Sequence, residues 1–272
     1  MGNIVEKNAV VELAKDLYNV NAIKFGKFTL KSRRESPYYI DLRVLSSHPR
    51  ILERVGSLMG RIIESLPEEK KPTRLCGIPA AGLAVANAIS FSTGIPVCYT
   101  RKEPIVYKDL IARLRKFLEE EKSKLLEKDV NQDYINSFCE GYEKAINTIE
   151  ELGGLKTHGI MRYVDGEIQD GDRIAIVDDL ITTAESKLEA INLIKLEAKR
   201  RNISVNMVGV YVLIDREQGG KETLEKEGIK LYSLLTVREA AKYLFELGIL
   251  DSQKYNTIVN YTLEERKHLG LE

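Results

Sequence analysis

Apolar residues occur along this chain in short runs and in helix-like stripes that follow one another in turn. Runs typical of buried strands occupy 74–78, 95–100, 174–177, 205–214 and 230–234. Stripes with helical spacing begin at Ala81 and after Ala184, and others cover 8–19, 50–65, 237–247 and 251–265. Two short β segments, 28–32 and 37–43, lie between the first two helices. Strands joined by helical crossovers predict an α/β fold in which a central parallel sheet has helices on both faces.

The stretch between Thr100 and Ile174 contains no segment that we predict to be a strand. Two helical stripes cross it instead, from Leu110 to Leu125 and from Tyr134 to Ile149, with a polar turn at 128–132. They predict a helical hairpin at 105–155 whose arms are about 20 residues and roughly 30 Å long. A solvated appendage, an oligomer contact or a lid would each show this pattern. Four large aromatic side chains exceed the need of one helix pair and lead us to expect docking on a partner subunit: Phe117, Tyr134, Phe138 and Tyr142.

Composition and charge exclude several classes of protein. With 272 residues and 43% hydrophobic content, the chain can bury one large core or one core plus an appendage. Its formal net charge of zero argues against a general nucleic-acid or membrane-surface binder. The N-terminus has acidic residues early and no long apolar run, so we expect neither a signal peptide nor a membrane span. Cys76, Cys98 and Cys139 lack metal or redox spacing and predict buried thiols in a reducing compartment, hence a cytoplasmic protein.

The segment 174–186, IAIVDDLITTAES, carries the strongest chemical signal. A predicted buried strand is followed by Asp178 and Asp179, a hydroxyl-rich turn and a predicted helix. Where a parallel strand gives way to a helix, free N–H groups and the helix dipole favour a phosphate. The two carboxylates can accept hydrogen bonds from a ribose diol, while Thr182, Thr183 and Ser186 can donate to a phosphate. The segment therefore suits a sugar phosphate, although a strand that ends in an acidic turn with a Ser/Thr helix cap would show the same residues.

The segment 174–186 resembles the ribose-phosphate signature of the type I phosphoribosyltransferases, which use 5-phosphoribosyl-1-pyrophosphate (PRPP). Other segments narrow the resemblance to the orotate phosphoribosyltransferase family, including the form fused into UMP synthase. The N-terminal hood of that family resembles LYNVNAIKFGKFTLKS…SPYYIDLR, its pyrophosphate loop resembles LCGIPAAGLAVANAI, and the next strand end resembles YTRKE. The catalytic loop and the hairpin after it resemble KTHG and MRYVDGEIQDGD. The base-binding strand and the segment after it resemble VLIDREQGGKETLEKEGIKLYSLLTV. These segments cover nearly all of the chain outside about 105–155, and DREQGGKE is long and specific.

This resemblance implies one phosphoribosyltransferase domain over 1–272. It would have a central parallel sheet flanked by helices, a small hood at 1–48, the helical hairpin inserted at 105–155 and C-terminal helices at 235–272. It also implies a homodimer with PRPP and orotate as substrates, and Mg²⁺ that enters with PRPP rather than at a protein metal site. No nucleic acid or membrane partner is expected.

The resemblance also implies a role for each site residue. PRPP would be bound by Arg101, Lys102, Lys156, His158, Asp178, Asp179, Thr182, Thr183, Ala184, Glu185 and Ser186. The expected catalytic residues are Lys102, Lys156, His158 and Asp178, since cations near the departing pyrophosphate stabilise its growing charge. Orotate would be bound by Lys31, Tyr38, Tyr39, Thr182 and Arg216, because an arginine fork suits a carboxylate. Taken singly, each basic residue could equally be a solvated strand end, a surface residue or, for Arg216 beside Asp215, a local ion pair.

Four departures from the family pattern lie near the phosphates. Arg33 stands where the hood usually has glycine, and Ala80 and Ala84 stand where the pyrophosphate loop has Tyr and Pro. The pair Ala184-Glu185 follows the two threonines, where the family has glycine first. We expect the Ala184 methyl to crowd the phosphate cradle and Glu185 to add an unfavourable negative charge.

Three functions are consistent with these observations. The first is transfer of the phosphoribosyl group of PRPP to orotate, which gives orotidine 5′-monophosphate and pyrophosphate in pyrimidine biosynthesis. The second is a paralogue with weak or lost transfer that binds PRPP or a nucleotide as a regulator, which the departures at the phosphate loops favour. The third is a transferase for another base, against which Lys31 and Arg216 argue.

Overall fold

The computed structural model describes residues 7–29, 35–101, 106–128, 130–151 and 162–271. The chain divides into two compact units, one formed by Met1–Thr100 with Tyr163–Glu272 and the other by Arg101–Arg162. The assignment of the whole chain to a single phosphoribosyltransferase domain stays a prediction.

Strands and helices alternate much as the apolar pattern predicts. The strands in chain order are β1 (Ile23–Thr29), β2 (Glu35–Ile40), β3 (Arg74–Gly77), β4 (Val97–Thr100), β5 (Val164–Asp165), β6 (Asp172–Ile181), β7 (Val205–Asp215) and β8 (Leu231–Thr236). The helices are α1 (Lys7–Asn19), α2 (Pro49–Glu64), α3 (Ala81–Thr93), α4 (Val106–Leu126), α5 (Gln132–Glu151), α6 (Glu185–Arg201), α7 (Gly220–Lys226), α8 (Val237–Glu246) and α9 (Ser252–His268). Within the described ranges, no helix combines the length and the apolar character that crossing a bilayer requires.

The larger unit is built on a six-stranded sheet in the order β5-β4-β3-β6-β7-β8. Neighbouring strands are parallel except for β5, which pairs antiparallel with β4. The prediction of no strand between Thr100 and Ile174 is therefore wrong at β5 and at Asp172, where β6 begins. A two-residue strand leaves no alternation to detect, because the strand pattern needs at least about four residues.

Residues of β6 alternate between two apolar cores, one on each face of the sheet. Ala175 and Val177 pack in the core that includes α1, α2 and α3. Ile174 and Ile176 pack in the opposite core, together with Ile191 and other residues of α6. Because both faces of the sheet are covered, its central strands are apolar on both sides, which is why they occur as continuous apolar runs.

An antiparallel hairpin of β1 and β2 precedes the sheet. The predicted segment 28–32 overlaps β1 only at its end, and 30–32 lie outside the described residues. The predicted segment 37–43 is too long, because β2 ends at Ile40. The Asp41 side chain accepts a hydrogen bond from the Arg43 N–H at 3.2 Å and starts a 3₁₀ helix instead.

The smaller unit contains the predicted helical hairpin, as α4 and α5. Leu118, Ile135, Cys139 and Ile146 are buried between the two helices. Phe138 and Tyr142 pack against this cluster with ring centroids 4.8 Å apart, and the Phe117 ring lies 6.0 Å from that of Tyr142, so three of the four large aromatic residues make contacts within the hairpin. Phe117 and Tyr134 remain 43% and 59% exposed, and docking on a partner subunit stays a prediction.

Candidate active site at the ends of β6 and β7

Two adjacent carboxyl groups occupy the second half of β6, which continues to Ile181 instead of ending at Val177 as predicted. The N–H of Asp179 donates to Asp178 Oδ1 at 2.9 Å, and the N–H of Leu180 donates to Asp179 Oδ1 at 2.9 Å. Asp178 is buried and Asp179 is partly buried. These bonds hold both carboxyl groups near the carboxyl end of a parallel strand, the edge at which open α/β sheets bind ligands.

The proton on Asp179 is held unusually tightly. Burial raises the pKa of Asp179 to about 7, and the charge of Asp178 and a side-chain hydrogen bond to it act in the same direction. The positive charge of Lys187 opposes this rise only in part. Near neutral pH, Asp179 can therefore either accept a hydrogen bond from a ribose hydroxyl or donate one to it.

Lys187 is a buried site residue that the sequence analysis missed. Its ammonium group donates to Asp178 Oδ2 at 2.7 Å, to the Leu180 carbonyl at 2.5 Å and to Ser186 Oγ at 3.2 Å. A signal for it exists, because Lys187 precedes Ile191 and Ile194 by four and seven residues and so lies on the buried face of α6. A lysine on an apolar helix face needs a buried acceptor, and the nearby aspartates supply one.

The turn between β6 and α6 has the conformation expected for a phosphate loop. Thr183 and Ser186 are exposed and Thr182 is partly buried, so their hydroxyl groups can reach a ligand. Ala184 has φ of +73°, the left-handed region usually occupied by glycine, so its methyl does not prevent this turn. Glu185 is exposed at the first position of α6, where water screens its charge.

The loop after β3 lies against the same carboxyl groups. Its Pro79–Ala80 peptide bond is cis, and α3 begins at Ala81. A Cβ atom on Gly82 would lie 2.6 Å from the Val177 carbonyl oxygen and 2.7 Å from Asp178 Cα, so only glycine allows this approach. The segment that resembles a pyrophosphate loop therefore lies next to Asp178, one of the two carboxylates that we expect to bind the ribose.

Arg216 follows β7 and is tied to the end of β6. Its N–H donates to the Ile181 carbonyl at 3.0 Å, and its guanidinium carbon lies 5.3 Å from the Tyr38 ring centroid. Its buried Nε has no hydrogen-bond partner among the described residues. The Asp215 carboxylate accepts a bond from the Glu217 N–H at 2.7 Å, and no Arg216–Asp215 ion pair occurs within the part of the chain that the structure describes. An unpaired guanidinium N–H in a buried position is available to a ligand.

Tyr38 and Tyr39 lie on opposite faces of β2, as neighbours in a strand must. The Tyr38 ring is 1% exposed and packs edge-on against Tyr261, and burial raises the pKa of its hydroxyl while Arg216 lowers it. Tyr39 is 38% exposed and lies beside the Phe28 ring. Only Tyr38 of the two contacts Arg216, and binding of a base by either tyrosine stays a prediction.

Arg43 is a second cation that the sequence analysis did not single out. Its guanidinium donates two 2.7 Å bonds to the Asp41 carboxylate. Hydrogen bonding to Asp41 raises the pKa of Arg43, and the charges of Tyr39 and Asp179 contribute in the same direction. Arg43, in the 3₁₀ helix that follows β2, therefore lies within electrostatic range of the Asp179 carboxyl group.

Several predicted site residues cannot be compared with this geometry. Four of them lie outside the described residues, and so does Arg33, which departs from the family pattern; the four are Lys31, Lys102, Lys156 and His158. Arg101 is exposed directly after β4 and begins the smaller unit. The roles of these residues toward pyrophosphate and orotate stay predictions. Among the described residues, no group of three or more His, Cys, Asp or Glu side chains is placed to hold a metal ion.

Comparison with known proteins gives a consistent set of relatives. No protein-family model matches the chain. The orotate phosphoribosyltransferase of Pyrococcus furiosus is 28% identical over 244 residues, which cover 89% of this chain and 98% of the relative. That of Methanosphaera stadtmanae is 29% identical and covers 88% of this chain and 98% of the relative. The structure of Leishmania donovani UMP synthase has a TM-score of 0.63 and 26% identity over 94% of this chain, but only 42% of that longer chain. In sequence, in sheet topology and in the position of its strand-end site, this chain is similar over most of its length to the orotate phosphoribosyltransferases, which are type I phosphoribosyltransferases.

Proposed function

We propose that this protein transfers the 5-phosphoribosyl group of PRPP to orotate, giving orotidine 5′-monophosphate and pyrophosphate, a step of pyrimidine biosynthesis. The observation that carries the proposal is the junction of β6 and β7. There the 3.0 Å bond from the Arg216 N–H to the Ile181 carbonyl ties a ligand-binding arginine to the strand that carries Asp178 and Asp179. Both halves of the reaction, ribose phosphate and base, can thus be bound at one edge of the sheet.

The ribose phosphate would bind along the end of β6 and the start of α6. Asp178 and Asp179 can receive the ribose diol, and the Thr182–Ser186 turn can surround the 5′-phosphate with hydroxyl groups and free N–H groups. The buried position of Asp178 keeps part of this surface away from water, which strengthens its hydrogen bonds and disfavours hydrolysis of the sugar.

The base would be recognised by Arg216. Orotate is an anion with a carboxylate, and the unpaired Nε of Arg216 can donate to it together with a second guanidinium N–H. The Tyr38 ring lies against the guanidinium group and limits where it can point. This arrangement favours an acidic pyrimidine over an uncharged purine.

During transfer, the bond from C1′ to the pyrophosphate oxygen breaks and its electron pair leaves with pyrophosphate. A bond from a ring nitrogen of orotate to C1′ forms, and the proton of that nitrogen passes to pyrophosphate or to water. The negative charge that grows on pyrophosphate would be neutralised by Arg101, Lys102, Lys156 and His158, which the resemblance assigns to this role. Asp178 and Asp179 offer carboxylates that would suit a metal held by the substrate's phosphates. Mg²⁺ bound in this way would supply further neutralisation of pyrophosphate.

Two further features belong to the proposal. We place the reaction in the cytoplasm, since all three cysteines are free and buried, as is typical of a reducing compartment. We also propose a homodimer. The substitutions at Ala184 and Glu185 do not favour the regulatory alternative, because Ala184 adopts a left-handed φ of +73° that glycine commonly has and Glu185 is exposed.

A steady-state assay tests the proposal. Purified protein with PRPP, Mg²⁺ and orotate should consume orotate and release pyrophosphate in equal amounts, and uracil or hypoxanthine in place of orotate should react far more slowly. Calorimetry with PRPP alone runs in parallel. PRPP binding without consumption of any base would favour the regulator, and turnover of another base in preference to orotate would contradict the assignment of Arg216.

A further inference from the structure

Lys187 is buried in a way that only its partners explain. The residue is 4% exposed on the face of α6 that packs against the sheet. Burial of an ammonium group is strongly unfavourable unless each of its hydrogens meets an acceptor. Lys187 meets three, at 2.5, 2.7 and 3.2 Å, and these match the three hydrogens that the ammonium group carries.

The three acceptors lie on both sides of the phosphate turn. Asp178 and Leu180 belong to β6, before the turn, and Ser186 belongs to α6, after it. One ammonium group therefore connects the Asp178 carboxylate, which we propose binds the ribose, to the Ser186 hydroxyl, which we propose binds the phosphate. Because no hydrogen of Lys187 is left over, the side chain acts on a ligand only through these neighbours.

Each contact prepares its partner for a ligand. Since Ser186 Oγ accepts from Lys187, its own hydroxyl proton is free to donate to a phosphate oxygen. Asp178 is held through Oδ2 by Lys187 and through Oδ1 by the Asp179 N–H, so its remaining lone pairs have fixed directions. The positive charge also offsets the repulsion between Asp178 and an incoming phosphate dianion.

We propose that Lys187 is the positioning residue of the PRPP site, whose ammonium group sets Asp178 and Ser186 in the arrangement that receives the ribose diol and the 5′-phosphate. This role rests on the proposed function. It predicts a selective effect, because Arg216, to which we assign orotate, makes no described hydrogen bond with Lys187.

Lys187→Met tests the proposal, because methionine keeps most of the length of the side chain and removes the ammonium group. We expect the KM for PRPP to rise at least about tenfold while the KM for orotate changes less than about twofold. The charge-assisted contacts that are lost, to Asp178 and Ser186, belong to the proposed PRPP site and not to the orotate site. Lys187→Arg should give an intermediate KM for PRPP, because a planar fork cannot replace a compact ammonium donor at three converging acceptors. Lys195→Met, at an exposed position of the same helix, is the matched control and should match the wild type.

The outcomes separate this proposal from its alternatives. A purely structural role would lower the melting temperature and the amount of active enzyme with both KM values unchanged. A KM for PRPP in Lys187→Met within twofold of wild type overturns the proposal, and if that variant does not fold, the same result in Lys187→Arg does so. If wild-type protein itself fails to bind PRPP in calorimetry, it is the proposed function that fails.

Discussion

Asp178 and Asp179 are neighbours, yet the same substitution should change the stability of the fold in opposite directions. Asp178→Asn removes the charge that faces the buried ammonium of Lys187, with which Asp178 makes a 2.7 Å ion pair. Loss of one partner of a buried pair leaves an uncompensated charge, and the asparagine oxygen replaces only part of the interaction. We expect the free energy of unfolding to fall by about 3 kcal/mol.

Asp179→Asn should instead stabilise the protein above neutral pH. The pKa of Asp179 is about 7 in the folded protein against 3.8 as its ordinary value. A raised pKa means that the stability contributed by the protonated carboxyl is fully present below pH 3.8 and is lost as the pH rises through 7. Each tenfold change in proton affinity is worth about 1.4 kcal/mol, so the ionised carboxyl destabilises the fold by about 4 kcal/mol at pH 8. Asparagine does not titrate, and its amide can still donate to Asp178.

Urea unfolding of wild type and both variants at pH 5 and pH 8 measures these effects. Linkage predicts that the advantage of Asp179→Asn over wild type is roughly 2.5 kcal/mol larger at pH 8 than at pH 5. Glu185→Gln removes an exposed carboxylate from the same segment and should change stability by less than about 0.5 kcal/mol. An equal advantage of Asp179→Asn at both pH values would refute the titration of Asp179 near neutrality. Increased stability of Asp178→Asn would refute the buried pair. The double variant Asp178→Asn, Asp179→Asn, if folded, should show no PRPP binding in calorimetry.

Three further predictions concern the base, the phosphate turn and the hairpin. Arg216→Ala should weaken orotate binding by about 2 kcal/mol and PRPP binding much less, measured by calorimetry, whereas equal losses would mean a structural role. Ala184→Gly should raise the free energy of urea unfolding by about 1 kcal/mol because it relieves the left-handed φ of +73°, and unchanged stability would contradict this. Replacement of 106–152 by a short Gly-Ser bridge should leave a folded core that dimerises more weakly in sedimentation, and a fully dimeric variant at low concentration would exclude an intersubunit hairpin.

Sequence periodicity was sufficient for most of the elements. Buried parallel strands such as β6 and β7 are apolar on both faces, and the continuous runs that result are visible without any partner. The helices α4 and α5 were predictable because each carries its own apolar stripe at helical spacing. The two-residue strand β5 was missed, because it forms only through its pairing with β4 and has no pattern of its own.

The contacts among the strand-end residues were determined by the tertiary structure. Sequence order placed Asp178 and Asp179 beside a phosphate turn, but the pairing of Asp178 with Lys187 depends on how α6 packs back onto β6. The contact of Arg216 with Tyr38 joins residues from the end of β7 and from the β1–β2 hairpin, far apart in the chain. Such contacts depend on long-range packing, whereas strands, helices and the order of motifs depend on local spacing. For this reason the sequence by itself determined most of the strands and helices and the resemblance to the orotate phosphoribosyltransferases, and only the tertiary structure determined the charge balance of the site.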